Sequence, residues 1–428
     1  MRLIILIGII IGGCIFSPFI FLKTLWNVSV VLISIQSTWL CFYTIVALLL
    51  FKKQTSVSSE DSFQPKISVI IPVHNEEKVI TSTINSILRS NYPREKLEII
   101  VVNDASTDGT KEICEELVRK GIISLINRSS FAERGKAVSL NEALTTIKDE
   151  IICLIDADNE VSPNFFNRLV QHFQDPEVAL VHARVKSKNP NTNLLTKLID
   201  IEFTALYLTY LLPKAYLELN FGCMGPGELI RTSVAKEIGG FNNNLATEDV
   251  EFTYRVQQYG YKIIYDPYEC TYNELVYTLK DYWHQRYRWM LGSIQAFIAH
   301  FPGFYLNKKI NLRKKIDFTN TFFIIGSLIA LDVISGIHII DILTNFNLLI
   351  LYLPLGAYIG ITLFWTGTAM FIDNRLKKEG IFVLLMPWYF FLVAVPTLKA
   401  TIDEYILKKR YLPQKATHLG LQGGIKEG

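Results

Sequence analysis

The sequence predicts a doubly wound α/β domain inserted between membrane helices. Three observations predict it. Apolar runs of membrane-spanning length stand at both ends of the chain; short β-branched runs alternate with amphipathic stretches in the polar middle; and carboxylates stand where those runs end. Composition agrees: of 428 residues, 50% are hydrophobic and only 19% charged, against about 25% charged in an ordinary soluble domain. A net charge of +3 is too small to argue for nucleic acid, so no such partner is expected. The cysteines are Cys14, Cys41, Cys114, Cys153, Cys223 and Cys270. None forms a C-x-x-C pair or a zinc-like Cys/His spacing, and they read as packed, reduced thiols.

Residues 3–22 and 28–51 are the first apolar segments, forming with their flank an N-terminal unit at 1–53. Ile11-Gly12-Gly13-Cys14 looks like a lipoprotein cleavage box, but apolar chain continues through 15–22, whereas a cleaved segment ends at the cut. A Ser-rich linker follows at 56–64. Three further segments come at 318–340, 346–372 and 381–398, within a C-terminal unit at 316–398, and 399–428 is a tail. Lys52, Lys53, Arg313, Lys314, Lys315, Arg375, Lys377 and Lys378 fall on one side if every segment spans. The positive-inside bias makes that side the cytosol, with the central domain in it, in an integral protein of the plasma membrane. The tail carries Lys408, Lys409, Arg410 and Lys415, and segment five carries Pro387 and Pro396, so that segment is expected to be re-entrant or broken.

The central domain is expected at 66–276. Strands are predicted at 66–71, 98–103, 151–155 and 178–181, as apolar runs suited to a sheet buried on both faces. Helices are predicted between them at 77–88, 110–119, 136–147 and 163–173. Another apolar helix, 194–217, is expected to lie on the membrane surface, because Lys197, Asp200 and Glu202 interrupt it. Amphipathic interfacial helices are expected at 277–315.

Ligands of such sheets bind at the carboxyl ends of the strands. There is no G-x-G-x-x-G after the first strand and no P-loop, which removes most support for dinucleotide oxidoreductases and NTPases. The ends are acidic instead. Asp104 lies in the loop after the second strand. Asp156-Ala157-Asp158 leaves the third, where both carboxylates can approach one Mg²⁺ or Mn²⁺ with phosphates completing the shell. Thr247-Glu248-Asp249 opens a helix, where the dipole favours acids in any case. Gln285, Arg288 and Trp289 share a helix face at i, i+3 and i+4. That face suits phosphate and sugar contacts as well as an interfacial position.

With these four motifs in this order, nearly the whole chain resembles the membrane-embedded family 2 glycosyltransferases of GT-A fold, such as cellulose, hyaluronan and poly-N-acetylglucosamine synthases. The resemblance implies roles. Pro72, Asn75, Glu76 and Asp104 would bind the nucleotide, with Lys136 and Asp156 beside it. Asp158 would hold the metal. Asp249, with Glu248 next to it, would be the general base. Gln285, Arg288 and Trp289 would hold diphosphate and acceptor. Two departures stand out: Val276 replaces an expected Pro two residues after Glu274, and the acceptor-side loop reads Gly222-Cys223-Met224-Gly225-Pro226-Gly227. His74 and His284 are expected to be structural. The implied reaction is inverting transfer from a nucleotide-diphosphate sugar, UDP-GlcNAc or UDP-glucose, to a growing β-linked polysaccharide. The alternatives are single transfer to a lipid or a silent nucleotide-sugar sensor.

Overall fold

The computed structural model of the protein describes residues 18–51, 63–128, 135–344, 352–407 and 418–420. In chain order the elements are α1 (Pro18–Phe51), β1 (Ile67–Val73), α2 (Ile80–Leu88), β2 (Leu97–Asp104), α3 (Thr110–Arg119), β3 (Ser124–Arg128), α4 (Lys136–Thr146), β4 (Ile151–Leu154), β5 (Glu160–Val161), α5 (Phe165–Leu169) and β6 (Val178–Ser187). Then come α6 (Leu194–Ala205), which runs through a π-helical turn at Leu206–Leu211 into α7 (Leu212–Tyr216), β7 (Glu228–Arg231), α8 (Thr232–Glu237), α9 (Glu248–Tyr259) and β8 (Lys262–Asn273). Further helices follow: α10 (Leu279–Leu306), α11 (Leu312–Thr344), α12 (Tyr352–Ile372), α13 (Leu376–Val383) and α14 (Met386–Ile402).

The eight strands form one sheet in the order β3-β2-β1-β4-β7-β6-β8-β5. β1, β2 and β4 are parallel, as the sequence predicts, and β3, which it did not predict, adds to them in parallel. β7 was not foreseen: it enters antiparallel between β4 and β6, so the sheet is mixed rather than wholly parallel. Residues alternate between the faces of β1. Ile67, Val69 and Ile71 pack with Ile80, Ile84, Phe165 and Phe166 on one side, while Ile70 packs with Leu140, Ile199 and Leu211 on the other. The second face also takes Tyr43, Met370, Met386, Tyr389 and Val393, so the catalytic sheet and the apolar terminal helices share one core.

Among the described residues three helices are long and apolar enough to cross a membrane, over Lys23–Phe51, Leu312–Ile339 and Pro354–Ile372. Leu376–Val383 with Met386–Leu407, bent by 55°, makes a fourth if it acts as one span. The sequence reading put a boundary between two spans near residues 22–28. The helix runs through it, because no Gly or Pro interrupts 19–51. Residues 3–17, with the cleavage-box motif, lie outside the described residues. So do most of the 56–64 linker, Lys52, Lys53, 345–351, Lys408, Lys409, Arg410 and Lys415. The expected break in segment five comes at Leu384-Leu385, where Pro387 starts α14, while Pro396 is carried inside that helix.

Two other expectations change. The 277–315 stretch holds a single helix, α10, and then the start of α11. The 194–217 helix is not on a membrane surface. It is buried between the sheet and the terminal helices, and its interrupting charges are all paired: Lys197 with Glu379 at 3.2 Å, Asp200 with Arg375, and Glu202 with Arg286.

Candidate active site

The first two strand ends are locked to each other. The Asn75 amide donates to Ser106 Oγ at 2.9 Å, and Asn75 Oδ1 accepts from the Thr107 amide at 2.6 Å. His74 Nδ1 lies 2.8 Å from the Asp104 carbonyl, a structural contact. Asn75 and Ala105 take positive φ values of 59° and 52°. An alanine there is strained, and such strain persists only where surrounding bonds over-determine the backbone. The Asp104 carboxylate receives Arg128 at 2.6 Å and the Gly135 amide at 3.1 Å.

Lys136, at the N-terminus of α4, bridges Asp156 at 2.7 Å and Glu248 at 3.0 Å. It therefore ties the end of β4 to the start of α9. Asp158 is held by Asn159 Nδ2 at 2.8 Å and Asn273 Nδ2 at 3.2 Å, and its carbonyl accepts from Lys188 at 2.7 Å. Burial raises the Asp158 carboxyl, opposed by His418 and Lys188.

Asp249 accepts from the Gly225 amide at 2.9 Å through Oδ2 and from the Val250 amide at 2.8 Å through Oδ1. Burial, and then the neighbouring Glu248 charge, push it up to about 6, while Lys136 and the two amides hold it from going further. A carboxylate poised near neutrality suits general-base work.

α10 brings Gln285, Arg288 and Trp289 to the same cavity, of about 640 Å³, as Asp104, Asp156, Asp158 and Asp249. The close approach of α10 to α9 requires Gly292, since a Cβ there would lie 2.3 Å from Thr247 Oγ1 and 2.7 Å from its Cβ. Among the described residues Arg288 has no carboxylate partner. Arg286 is the buried one, paired with Glu202, bonded to Tyr389 at 3.1 Å, and stacked 4.6 Å from the Trp289 ring. Trp289 also faces Phe203, ring centres 6.2 Å apart. Below these rings the cavity continues between the apolar helices, past Leu331, Tyr358, Trp365 and Phe390.

Sequence reasoning missed several residues here. Arg286 and Glu202 lie off the i, i+3, i+4 face of the motif, and their pairing spans 84 positions. His418 is further still. Its ring lies 3.6 Å from Glu76 Oε2 and 3.9 Å from Asp158 Oδ2, while the Leu419 amide donates to Glu274. The tail therefore returns to the catalytic domain and shares its side. No local pattern around residue 418 signals this.

A mixed sheet of this order, with carboxylates at the ends of β2 and β4 and at the start of α9, defines a glycosyltransferase of GT-A fold. The chain carries a family 2 glycosyltransferase domain: residues 68–239 match the family described as "Glycosyl transferase family 2". It is 24% identical over 364 residues to the poly-β-1,6-N-acetyl-D-glucosamine synthase of Staphylococcus epidermidis, covering 83% of this chain and 85% of that one. It is 27% identical over 345 residues to a β-monoglucosyldiacylglycerol synthase of Nostoc sp., covering 79% of this chain and 70% of that one. In fold it is similar to the mannosyltransferase PcManGT from Pyrobaculum calidifontis, solved in complex with GDP-Man and Mn²⁺. The TM-score is 0.61 and the identity 21%, over 87% of this chain and 99% of that one.

Proposed function

We propose that this enzyme transfers a sugar, with inversion, from UDP-GlcNAc or UDP-glucose to the end of a β-linked polysaccharide presented from the membrane side. One observation carries the reading: a single cavity joins the donor-side carboxylates, the Asp249 base and the space between the apolar helices, with Trp289 at the junction. The acceptor hydroxyl gives its proton to Asp249 as its oxygen attacks the anomeric carbon. The bond from that carbon to the diphosphate breaks, and its electron pair leaves on the diphosphate. Arg288, free of a carboxylate, faces the same cavity and meets that charge; Gln285 Oε1, buried without a partner, accepts from an acceptor hydroxyl. Trp289 offers an apolar face to a sugar ring. Pro72, Asn75, Glu76 and Asp104 shape the nucleotide pocket, and Lys136 and Asp156 stand beside it.

Asp158 would hold Mg²⁺ or Mn²⁺. Its carboxylate oxygens, with the nearby Glu76 oxygen and His418 nitrogen, are donors that fit a hard divalent ion. When bound, such an ion neutralises the diphosphate charge. The catalytic domain sits in the cytosol, where nucleotide sugars are made, and the helices sit in the plasma membrane.

One observation favours a second reading, single transfer to a lipid. Below Phe203 the cavity wall carries a run of aliphatic groups, Ile33, Leu40, Ile324, Leu328 and Val393, beside Gln36, Ser37, Ser327 and Thr362, and the aliphatic part suits acyl chains. Purified protein given Mn²⁺, a panel of labelled nucleotide sugars, and either short glycans or diacylglycerol separates the two. Labelled products of graded length support the polysaccharide reading. A single lipid product of fixed mass replaces it with the lipid one, and no transfer from any donor overturns both.

A further inference from the structure

Behind the cavity wall lies a polar cluster that the transfer reaction does not use. His182 on β6 and Glu228 on β7 are cross-strand partners, so their side chains rise from one face of the sheet. Cys223, in the loop leading to β7, comes down on the same point. All three are buried, with exposures of 0%, 1% and 0% for His182, Glu228 and Cys223. An imidazole nitrogen, the thiol sulfur and a carboxylate oxygen lie within 4.8 Å of one another. Both ring nitrogens of His182 are without a hydrogen-bond partner, and the Glu228 carboxyl has only the Cys223 thiol beside it. The surroundings are aromatic: Tyr207, Phe221 and Tyr265 stand 5.9, 6.1 and 6.2 Å from the His182 ring.

Orphaned polar atoms in an apolar core are costly, and an unpartnered imidazole beside a buried thiol and carboxyl calls for a missing partner. We propose that His182, Cys223 and Glu228 bind a divalent transition-metal ion, zinc by the chemistry of the ligands. Thiolate, imidazole and carboxylate are the groups that zinc takes, and three of them leave one tetrahedral position for a solvent molecule. Charge supports the same choice. A doubly charged ion with one thiolate, one carboxylate and a neutral imidazole makes a site of zero net charge, the form an apolar core tolerates. Metal entry displaces one proton from Cys223 and one from Glu228 to solvent.

The site has a structural consequence. Cys223 and Glu228 flank the loop whose Gly225 amide bonds Asp249, and whose Met224 carbonyl accepts from the Tyr207 hydroxyl at 2.6 Å. Gly227 in that loop has φ 91°, and a Cβ there would lie 2.8 Å from Thr271 Cγ2, so the backbone itself is pressed onto the sheet. A metal staple at both ends of the loop holds Gly225 on the base. It is distinct from the Asp158 site, whose donors are mostly hard oxygens open to the cavity and to chelators.

The test uses the full chain in detergent, purified through a tag without histidines, washed in EDTA and desalted. Elemental analysis should find about one zinc per chain, retained because the site is buried. His182→Gln and Cys223→Ser should each reduce it several-fold. Because these variants could misfold, wild-type protein is also produced in zinc-depleted, cobalt-supplied medium. A thiolate-to-cobalt charge-transfer band in the near ultraviolet, with tetrahedral visible bands, is expected, and the near-ultraviolet band should vanish in Cys223→Ser. A folded wild-type chain that carries no stoichiometric transition metal and shows no cobalt–thiolate band overturns the proposal, and leaves the glycosyltransferase reading untouched.

Discussion

The strand-end half of the cavity, proposed to take the donor, and the helix-lined half, proposed to take the acceptor, are held together differently. Among the strand-end groups most bonds are short and come from nearby loop or backbone atoms, Asn75 to Ser106 and Thr107, Asp158 to Asn159 and Asp249 to Val250, with Lys136 bridging Asp156 and Glu248 across them. On the acceptor side the polar groups are buried pairs between remote elements. Glu202 on α6 meets Arg286 on α10 and Tyr389 on α14, and Lys214 on α7 meets Asp317 on α11 at 3.0 Å. Damage on the donor side should therefore cost chemistry and spare the fold. Damage on the acceptor side should cost the fold before it costs chemistry.

The largest expected break is at Asp158. Asp158→Ala, or chelation of the wild type, should abolish transfer with the thermal transition unchanged. Full turnover in excess chelator would remove the metal from this half of the comparison. Next is Asp249→Asn, which keeps the shape but loses the proton acceptor and can accept from only one of the two backbone amides. Turnover should fall about 10²–10⁴-fold with donor binding kept. In the wild type, kcat/KM should rise with pH and level off above about 6, because the base must be ionised to act and burial holds it protonated below that point. The same proton stabilises the native state at low pH, an effect lost as pH rises through about 6. A profile flat from pH 5 to 7 in Mn²⁺ would move the base elsewhere.

Arg286→Met tests the other half. It leaves Glu202 buried without its cation, which typically costs ~3–5 kcal/mol of stability. Arg286→Met with Glu202→Leu should recover much of that. Thermal unfolding in detergent reads both, and a single variant as stable as wild type would show that the pair is not what joins α6 to α10. The smallest and sharpest effect is Trp289→Phe. It keeps an aromatic ring and loses the indole area and N–H. Transfer should drop several-fold while slow donor hydrolysis persists, since the donor side is untouched. Equal loss of both would place Trp289 with the donor site.

The same contrast explains what was legible. Four strands, the helices between them and the acidic strand ends follow from hydrophobic period and turn chemistry, which are local. β7 is only four residues long, and β3 is largely amphipathic, so neither gave an apolar run of its own. The charges at 197, 200 and 202 were read as contacts with a membrane surface, because a sequence lists charges without their partners. The partners stand 84 to 182 positions away.

By itself, then, the sequence determined the α/β order, the apolar helices at both ends and the carboxylates at the strand ends, because each is set by residues within a few positions of one another. Only the tertiary structure decided the rest. It seated His418 beside Asp158, enclosed Arg286 with Glu202 under Trp289, and gathered His182, Cys223 and Glu228 in one apolar core. The physical reason is that burial and pairing depend on which strands become neighbours, and the antiparallel entry of β7 between β4 and β6 is a choice made by packing rather than by any local pattern.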